Sequence, residues 1–270
     1  MALYIVPTPI GNLGDITRRA AEMLSRVDFV IAEDTRRTRK LLSHLGIGKR
    51  IVSHYRPKEE TQADRIVAML KKQDGALVSD SGTPGISDPG FTLVRKAIAA
   101  GIAVIPLPGP TAFVPALVAS GIDPRRFLFL GFPPRHRGER RRFLKTLSPL
   151  PYTLVLYESP QRLGSLLQDA FAVLGDRDFA LAREISKKHE RIVRSRLGSR
   201  QAALQEETLL GEMVVVIAGS PGCAQAEEAP LLENTDDLYD FFRQRFGMGK
   251  NALKKILMKK RAKSGPGHER

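Results

Sequence analysis

Four ionisable side chains stand at or just beyond the ends of predicted strands, where each could move a proton. They are Asp80, Glu158, Glu184 and Lys187. A carboxylate can take a proton from a weakly acidic hydroxyl, and a lysine can orient that hydroxyl or act as base if desolvation lowers its pKa. Glu184 and Lys187 are three residues apart, so in a turn or helical segment they share a face. No motif decides among the four, and each could instead form a structural ion pair with Arg183 or Arg162.

Loops rich in glycine and proline indicate a second kind of chemistry, because their backbone can approach a ligand closely. The longest lies in residues 76–90, ALVSDSGTPGISDPG, where three apolar residues precede a run of Gly, Pro, Ser, Thr and Asp. Strand-to-helix connections usually span about 2–6 residues, and this one is longer. PTPIGN and PLPGPTA have the same character. We expect a ligand loop at 76–90, the alternative being an ordinary connection.

Repeating strand–loop–helix units must position these groups. About five units occur in the first 120 residues, which is the pattern of a mostly parallel sheet. Strands are predicted at 3–6, 29–32, 51–53, 76–78 and 103–107, and helices at 16–27, 59–72, 91–101 and 113–121. EDTRRTRKLL follows the strand at 29–32, and no helix is predicted there. Parallel strands bring their carboxyl-end loops to one sheet edge, so the three Gly/Pro loops can wall one cleft. None is a GxGxxG or GxxxxGK[ST] motif, so neither standard dinucleotide nor P-loop chemistry is indicated.

The second half of the chain predicts a different arrangement. Strands are predicted at 127–132, 153–157, 179–182, 191–197 and 212–218, with a helix at 162–174 and a basic helix before it. Their closer spacing favours a mixed α+β domain with antiparallel pairs. We therefore expect an α/β protein with an N-terminal domain at 1–112 and a second domain at 113–220. A linker at 221–232, a basic helical appendage at 233–262 and a disordered tail at 263–270 would follow.

Composition favours a cytosolic globular protein. Of its 270 residues, 42% are hydrophobic, which is enough for two cores, and Cys223 is the single cysteine. No stretch approaches the roughly 18 apolar residues of a membrane span, and no signal peptide is recognisable at the N-terminus. The five histidines are scattered without ligand spacing, so we expect no metal site.

The net charge of +14 is concentrated in two segments. Residues 135–145, RHRGERRRFLK, hold six Lys or Arg against one Glu, and residues 241–270 hold ten against one. The rest of the chain is therefore electrically balanced. Cationic charge concentrated in this way favours a polyanionic partner, the alternative being solvated helix faces and a loose basic tail.

The motifs together resemble those of the tetrapyrrole methylase fold family. PTPIGNLGDIT, AEDTRRTRKLL, SDSGTPGISDPG and PLPGPTA are similar in particular to the ribosomal RNA small subunit methyltransferase I branch. FLGFPPRHRGERR, YESPQR, LAREISKKHE and GEMVVVIAG follow in that branch's order and spacing, so the resemblance covers about residues 3–219. It implies a two-domain methyltransferase that binds S-adenosylmethionine between its domains and forms a homodimer.

The resemblance also implies cofactor residues. They are Pro7, Thr8 and Pro9 in the first loop, Ser81, Gly82, Thr83, Pro84 and Ile86 in the second, Pro110, Thr111 and Ala112 in the third, and Tyr157, Ala182 and Met213 on the far wall. Ser81 departs from the Ala expected in some relatives, a small change that leaves this interpretation intact.

The substrate implied by the resemblance is a cytidine 2′-hydroxyl of 16S ribosomal RNA, in the decoding centre of an assembled small subunit. Phosphate contacts position an RNA without reading its sequence, which is why we expect the assembled subunit as substrate. The predicted RNA-binding residues are Arg135, Arg137, Arg140, Arg141, Arg142, Lys250, Lys254 and Lys255.

Two alternatives remain open. One is a methyltransferase of the same fold that acts on a corrin or porphyrin precursor, which is also polyanionic. That substrate requires no arginine block, and AEDTRRTRKLL and YESPQR are not motifs of that branch. The other is a non-catalytic RNA-binding assembly factor, against which the three intact Gly/Pro loops argue.

Overall fold

Five strands at the start of the chain form one parallel sheet. They are β1 (Ala2–Ile5), β2 (Phe29–Ala32), β3 (Arg50–Ser53), β4 (Gly75–Leu77) and β5 (Ala103–Pro106), in the spatial order β3-β2-β4-β1-β5. Every adjacent pair is parallel. The connections contain α1 (Arg18–Arg26), α2 (Thr35–His44), α3 (Glu59–Leu70) and α4 (Phe91–Ala99). Parallel pairs need such crossovers, so the alternation of strand and helix patterns in the sequence leads to this sheet.

Both faces of the first sheet are buried, which explains why its strands are continuous apolar runs. Ile31 and Leu77 pack with α3 and α4 in one core cluster. Val30 and Ala76, their neighbours along the strands, pack with α1 and α2 in another. Successive side chains of a strand point to opposite faces, so each strand contributes to both clusters.

A second, mixed sheet is built from the later strands. They are β6 (Phe127–Phe129), β7 (Thr153–Glu158), β8 (Asp178–Arg183), β9 (Arg191–Arg196) and β10 (Met213–Ile217), in the order β6-β7-β10-β8-β9. The β6/β7 pair is parallel and the other pairs are antiparallel. The helices are α5 (Phe113–Ala119), α6 (Arg137–Leu147) and α7 (Pro160–Leu174). Residues of α6 and α7 cover one face of the sheet and residues of α5 the other.

The predicted fold class is confirmed, with a parallel first sheet and antiparallel pairs in the second. The sequence analysis did not identify α2, which begins at Thr35 within EDTRRTRKLL. Asp34 is its N-cap and accepts a hydrogen bond from the Arg36 backbone N–H at 2.8 Å. The hydrogen bond from the Arg36 side chain lowers the pKa of Asp34 to about 2, so this cap is an anion at neutral pH.

The structure is a computed structural model that describes residues 1–55, 59–201, 211 and 213–221. The described residues all belong to one compact unit, Met1–Gly222. The predicted linker, appendage and tail, including Lys250, Lys254 and Lys255, lie outside the described residues. Within the described residues, no helix is long and apolar enough to cross a bilayer.

Candidate active site

The three Gly/Pro loops meet at one edge of the first sheet. They follow β4, β1 and β5, which are neighbours in the sheet. Thr8 and Gly82 exchange backbone hydrogen bonds of 2.9 and 3.0 Å, which join the first loop to the second. The Thr83 hydroxyl donates to the Pro110 carbonyl at 2.9 Å, which joins the second loop to the third. The expectation that these loops lie together is therefore confirmed.

Two glycines allow this close approach. Gly82 has a φ of +83°, and a Cβ there would lie 3.2 Å from Cγ2 of Ile10. A Cβ on Gly109 would lie 2.6 Å from Cβ of Pro7. The first position needs a left-handed backbone and the second has no room for a side chain, so both favour glycine.

The loops enclose a cavity of about 200 Å³ between the two sheets. Its lining comprises Ile10, Glu33, Arg37, Asp80, Ser81, Gly82, Thr83, Ile86, Ser87, Asp88, Thr111, Ala112, Phe132 and Tyr157. A smaller cavity of about 30 Å³ adds Glu184, Ile185, Lys187, Met213 and Val214 to four of these residues. The four shared residues are Ile10, Ala112, Phe132 and Tyr157. The two cavities thus form one cleft, with walls from both sheets.

Eight of the predicted cofactor residues line this cleft. They are Ser81, Gly82, Thr83, Ile86, Thr111, Ala112, Tyr157 and Met213. The others are not part of the lining. Thr8 is buried and donates its hydroxyl to the Ser79 carbonyl, Pro7 lies against Gly109, and Ala182 is buried in the second sheet opposite Val214. Pro9, Pro84 and Pro110 belong to the same loops without lining the cleft, and Pro110 acts as acceptor for Thr83.

The lining fits a ligand that has both flat apolar and hydrogen-bonding parts. Ile10, Ile86 and Tyr157 supply apolar surface. The Thr111 hydroxyl is shielded from solvent and has no hydrogen-bond partner among the described residues. A buried polar atom normally finds a partner, so this hydroxyl is suited to a ligand in the cavity. The residues present therefore fit S-adenosylmethionine.

Glu184 and Lys187 form an ion pair at the smaller cavity. Lys187 Nζ lies 2.8 Å from Glu184 Oε1, and both side chains are partly exposed. The segment between them is a tight turn, in which Glu184 and Ser186 have φ values of 50° and 68°. The Lys187 backbone N–H donates to the Glu184 carbonyl at 2.9 Å. Left-handed backbone at non-glycine residues often accompanies functional sites, and the two side chains at the ends of this turn both line the smaller cavity.

This turn belongs to the second sheet but rests on the first. A Cβ on Gly11 would collide with Cγ of Lys187, so the lysine stem lies directly on the Gly11 backbone. The Ser186 hydroxyl donates a hydrogen bond to Asp15 of the same loop. On the other side, a Cβ on Gly211 would collide with Oε1 of Glu184. Contacts on two sides therefore hold the pair in place.

The other two proton-transfer candidates have structural partners. Asp80 lines the larger cavity, but its Oδ1 accepts the Asp34 backbone N–H at 3.0 Å and its Oδ2 lies 3.8 Å from Arg37. The Glu158 side chain is fully buried, accepts the Ser159 N–H at 2.9 Å and lies 3.2 Å from Arg162. Glu158 is outside the lining of both cavities. We therefore replace its predicted role as a base with the alternative, a structural ion pair with Arg162.

The arginine block divides into exposed and buried members. Four of its members are exposed: Arg135, just before α6, and Arg137, Arg141 and Arg142 in the first turns of α6. Arg140 is not: its side chain is 4% exposed and donates to Asp169 Oδ2 at 2.6 and 2.9 Å. A guanidinium that is buried and paired in this way cannot contact phosphate, so we withdraw Arg140 from the predicted RNA surface.

Sequence reasoning missed several residues of the cleft. Arg37 was missed because α2 was not recognised. Phe132 follows β6 in GFPPR, and its position at the cleft depends on contacts across the two sheets that no local pattern encodes. Among the described residues, no group of three or more His, Cys, Asp or Glu could hold a metal ion. The expected absence of a metal site stays a prediction.

The sequence is similar to a known protein family and to several named proteins. The sequence profile of Tetrapyrrole (Corrin/Porphyrin) Methylases matches residues 2–200, which include β1 to β9. The chain is 46% identical over 231 residues to ribosomal RNA small subunit methyltransferase I of Micromonospora olivasterospora, covering 85% of this chain and 74% of the relative. The protein of the same name in Escherichia coli O157:H7 is 47% identical over 232 residues, covering 84% and 80%. The Halalkalibacterium halodurans protein is 43% identical over 227 residues, covering 84% and 78%.

Proposed function

The chain belongs to the ribosomal RNA small subunit methyltransferase I branch of the tetrapyrrole (corrin/porphyrin) methylase family, and from this we propose that it methylates 16S ribosomal RNA with S-adenosylmethionine. The finer proposal is that the acceptor is the 2′-oxygen of a decoding-centre cytidine, modified on the assembled small subunit. One observation carries the methyl-transfer part of the proposal: the Gly/Pro loops form a cavity that ends at the Glu184–Lys187 pair. A methyl donor and an acceptor hydroxyl could therefore meet beside groups able to accept a proton.

The larger cavity is the proposed cofactor site. S-adenosylmethionine, when bound, supplies a methyl group on a positively charged sulfur, which a nucleophilic oxygen can attack. The protein would hold the cofactor through backbone groups of residues 81–83, with Thr111 as a hydroxyl partner and Ile86 and Tyr157 as apolar walls. Holding two reactants in near-attack geometry can contribute a large part of the rate of a displacement reaction.

The Glu184–Lys187 pair is the proposed proton-handling group. Lys187 would donate a hydrogen bond to the ribose 2′-oxygen and orient it. Glu184, whose carboxylate accepts from Lys187 at 2.8 Å, would take the hydroxyl proton as the oxygen attacks. Asp80 remains a second candidate base, with its carboxylate engaged by Asp34 and Arg37.

The proposed RNA surface is the start of α6. Its exposed residues Arg135, Arg137, Arg141 and Arg142 would contact phosphates. Lys250, Lys254 and Lys255 remain proposed RNA contacts from outside the described residues. We further propose that the protein acts in the cytoplasm, where ribosomal subunits are found, as a homodimer and without a metal ion.

The test is transfer of radiolabelled methyl from S-adenosylmethionine to small subunits that lack the modification. Corrin and porphyrin precursors are assayed in parallel, with and without a chelator. Label at one cytidine, mapped by resistance of the adjacent phosphodiester to alkaline cleavage, supports the proposal. Label on a tetrapyrrole would identify the alternative enzyme. Binding to the subunit with no label on either acceptor would support an assembly factor.

A further inference from the structure

Phe132 is a large apolar residue at the mouth of the cleft that the proposed chemistry does not use. It lines both cavities, and 52% of it is exposed. We propose that Phe132 is the platform on which the base of the substrate nucleotide stacks. This inference rests on the proposed function, because it takes the substrate to be RNA.

The ring is exposed, but the backbone that carries it is fixed on both sides. On one side, the Gly131 carbonyl accepts the Tyr157 N–H of β7 at 2.9 Å. On the other, Arg162 donates to the Pro133 carbonyl at 2.7 Å and to the Pro134 carbonyl at 3.2 Å. A platform held in this way would lose little conformational freedom when a base binds to it.

Arg162 is itself positioned by the buried Glu158, which lies 3.2 Å away. This gives the ion pair at the end of β7 a function: it anchors the segment that presents Phe132. Gly131 has a φ of +59°, and a Cβ there would lie 3.1 Å from the Ser87 hydroxyl. The platform segment thus lies against the ligand loop of the first sheet.

Packing behind the ring limits how it can move. Its centroid is 5.5 Å from that of Tyr157, at an interplanar angle of 56°, and Tyr157 lies edge-on to Phe129 at 5.0 Å. Phe132 therefore packs against other aromatic rings while more than half of it stays accessible.

The surroundings match single-stranded RNA. Proteins that bind unpaired nucleotides combine aromatic side chains, on which bases stack, with cationic groups that follow the phosphates. Arg135 and Arg137 come three and five residues after Phe132 and are exposed. Because Phe132 also lines the cavity that contains Lys187, a nucleotide stacked on it would have its ribose beside the proton-handling pair.

Kinetics with two substitutions at Phe132 test this assignment. Phe132→Ala should lower kcat/KM for small subunits by roughly five- to 150-fold, the range expected for loss of one stacked base, with an unchanged Kd for S-adenosylmethionine. Phe132→Tyr keeps an aromatic face and should restore most of the loss. Phe171→Ala, on α7 and away from the cleft lining, is the matched control and should behave as wild type.

Fluorescence gives a readout that does not require turnover. The chain contains no tryptophan, so Phe132→Trp introduces a single tryptophan that can be excited selectively. Its emission should be quenched by a cytidine-containing single-stranded oligoribonucleotide, whereas a Phe171→Trp control should not respond.

The outcomes separate the two proposals. If the wild-type protein methylates small subunits and Phe132→Ala is fully active, the platform proposal is overturned and the proposed function stands. A cofactor Kd raised in parallel with the loss of turnover would also overturn it, because Phe132 would then be part of the cofactor wall. Absence of wild-type methyl transfer would reject the proposed function. RNA quenching of Phe132→Trp would then still support an RNA-base contact, and no quenching would reject the platform as well.

Discussion

At the scale of single residues, the cleft contains one pair of groups suited to proton transfer. Glu184 and Lys187 contact each other and line the smaller cavity. Glu158 is turned away into an ion pair, and Asp80 is engaged by Asp34 and Arg37. The four candidates look alike in the sequence, because nothing local records which carboxylate has a partner.

Removing either member of the pair should separate chemistry from cofactor binding. Lys187→Met and Glu184→Gln are each expected to lower kcat by about 10²–10⁴-fold, the usual contribution of a positioned acid or base. The Kd for S-adenosylmethionine, measured by calorimetry, should stay within about twofold of wild type. If Asp80→Asn reduced kcat as strongly, with wild-type folding stability and cofactor affinity, the assignment of the pair would be wrong.

Gly11→Ala should act on the same pair without touching its chemistry. The added Cβ would displace the Lys187 stem, which lies on the glycine backbone. We expect kcat to fall at least about tenfold, since misplacing a reacting group by about an ångström can cost two orders of magnitude. Gly48→Ala is the control, because a Cβ at that position meets no atom within 4 Å. Equal kcat values in the two variants would count against the proposed role of Lys187.

At the scale of elements, a buried ion pair joins α6 to α7. The Asp169 carboxylate lies 2.6 Å from Nη2 of Arg140 and 3.2 Å from Nε of Arg137, and the Asp169 side chain is 2% exposed. The same helix therefore turns Arg140 inward for packing and its neighbours outward. The five arginines of RHRGERRR look alike in the sequence, so only a partner 29 residues further along the chain determines which arginine is buried.

Asp169→Ala should destabilise the fold by about 3–5 kcal/mol, because it leaves the Arg140 cation buried without its counter-ion. Denaturant unfolding measures this change. Glu22→Ala removes the exposed partner of Arg18 and should have little effect, as expected of surface pairs. Equal denaturation midpoints for Asp169→Ala and Glu22→Ala would mean that the Arg140 guanidinium is accessible to solvent in the folded protein.

At the scale of the whole molecule, the sequence pattern predicted each sheet better than the relation between them. The pattern of apolar residues identifies the strands, and the turn residues identify the Gly/Pro loops, because both signals are local. The α2 helix was missed because TRRTRKLL has only two apolar residues to show a helical period, and its start depends on the Asp34 cap. The positions of Phe132 and Lys187 in one cleft arise from packing between the sheets, which the resemblance implied but no local pattern encodes.

The exposed arginines of α6 predict a salt dependence for the whole enzyme. Each phosphate contact contributes about 0.7–0.9 to the slope of log K against log salt concentration. Arg141→Gln with Arg142→Gln should therefore lower the slope for small-subunit binding by about 1.4–1.8. The charge-matched pair Arg19→Gln with Arg26→Gln, on α1, should leave it unchanged. A parallel loss in both double variants would indicate diffuse attraction without a defined surface.

Two contacts join the turn at 184–187 to the first loop: the Lys187 stem lies on Gly11, and the Ser186 hydroxyl donates to Asp15. They link catalysis to the opening and closing of the cleft. The lysine stem keeps this position only while the two walls of the cleft are in contact at Gly11. Any widening that lets a ligand enter or leave must also separate the lysine from its seat. Ligands would then enter and leave an inactive form, in which Lys187 is away from Gly11. The reactants would meet a correctly placed proton acceptor only after the cleft has closed around them.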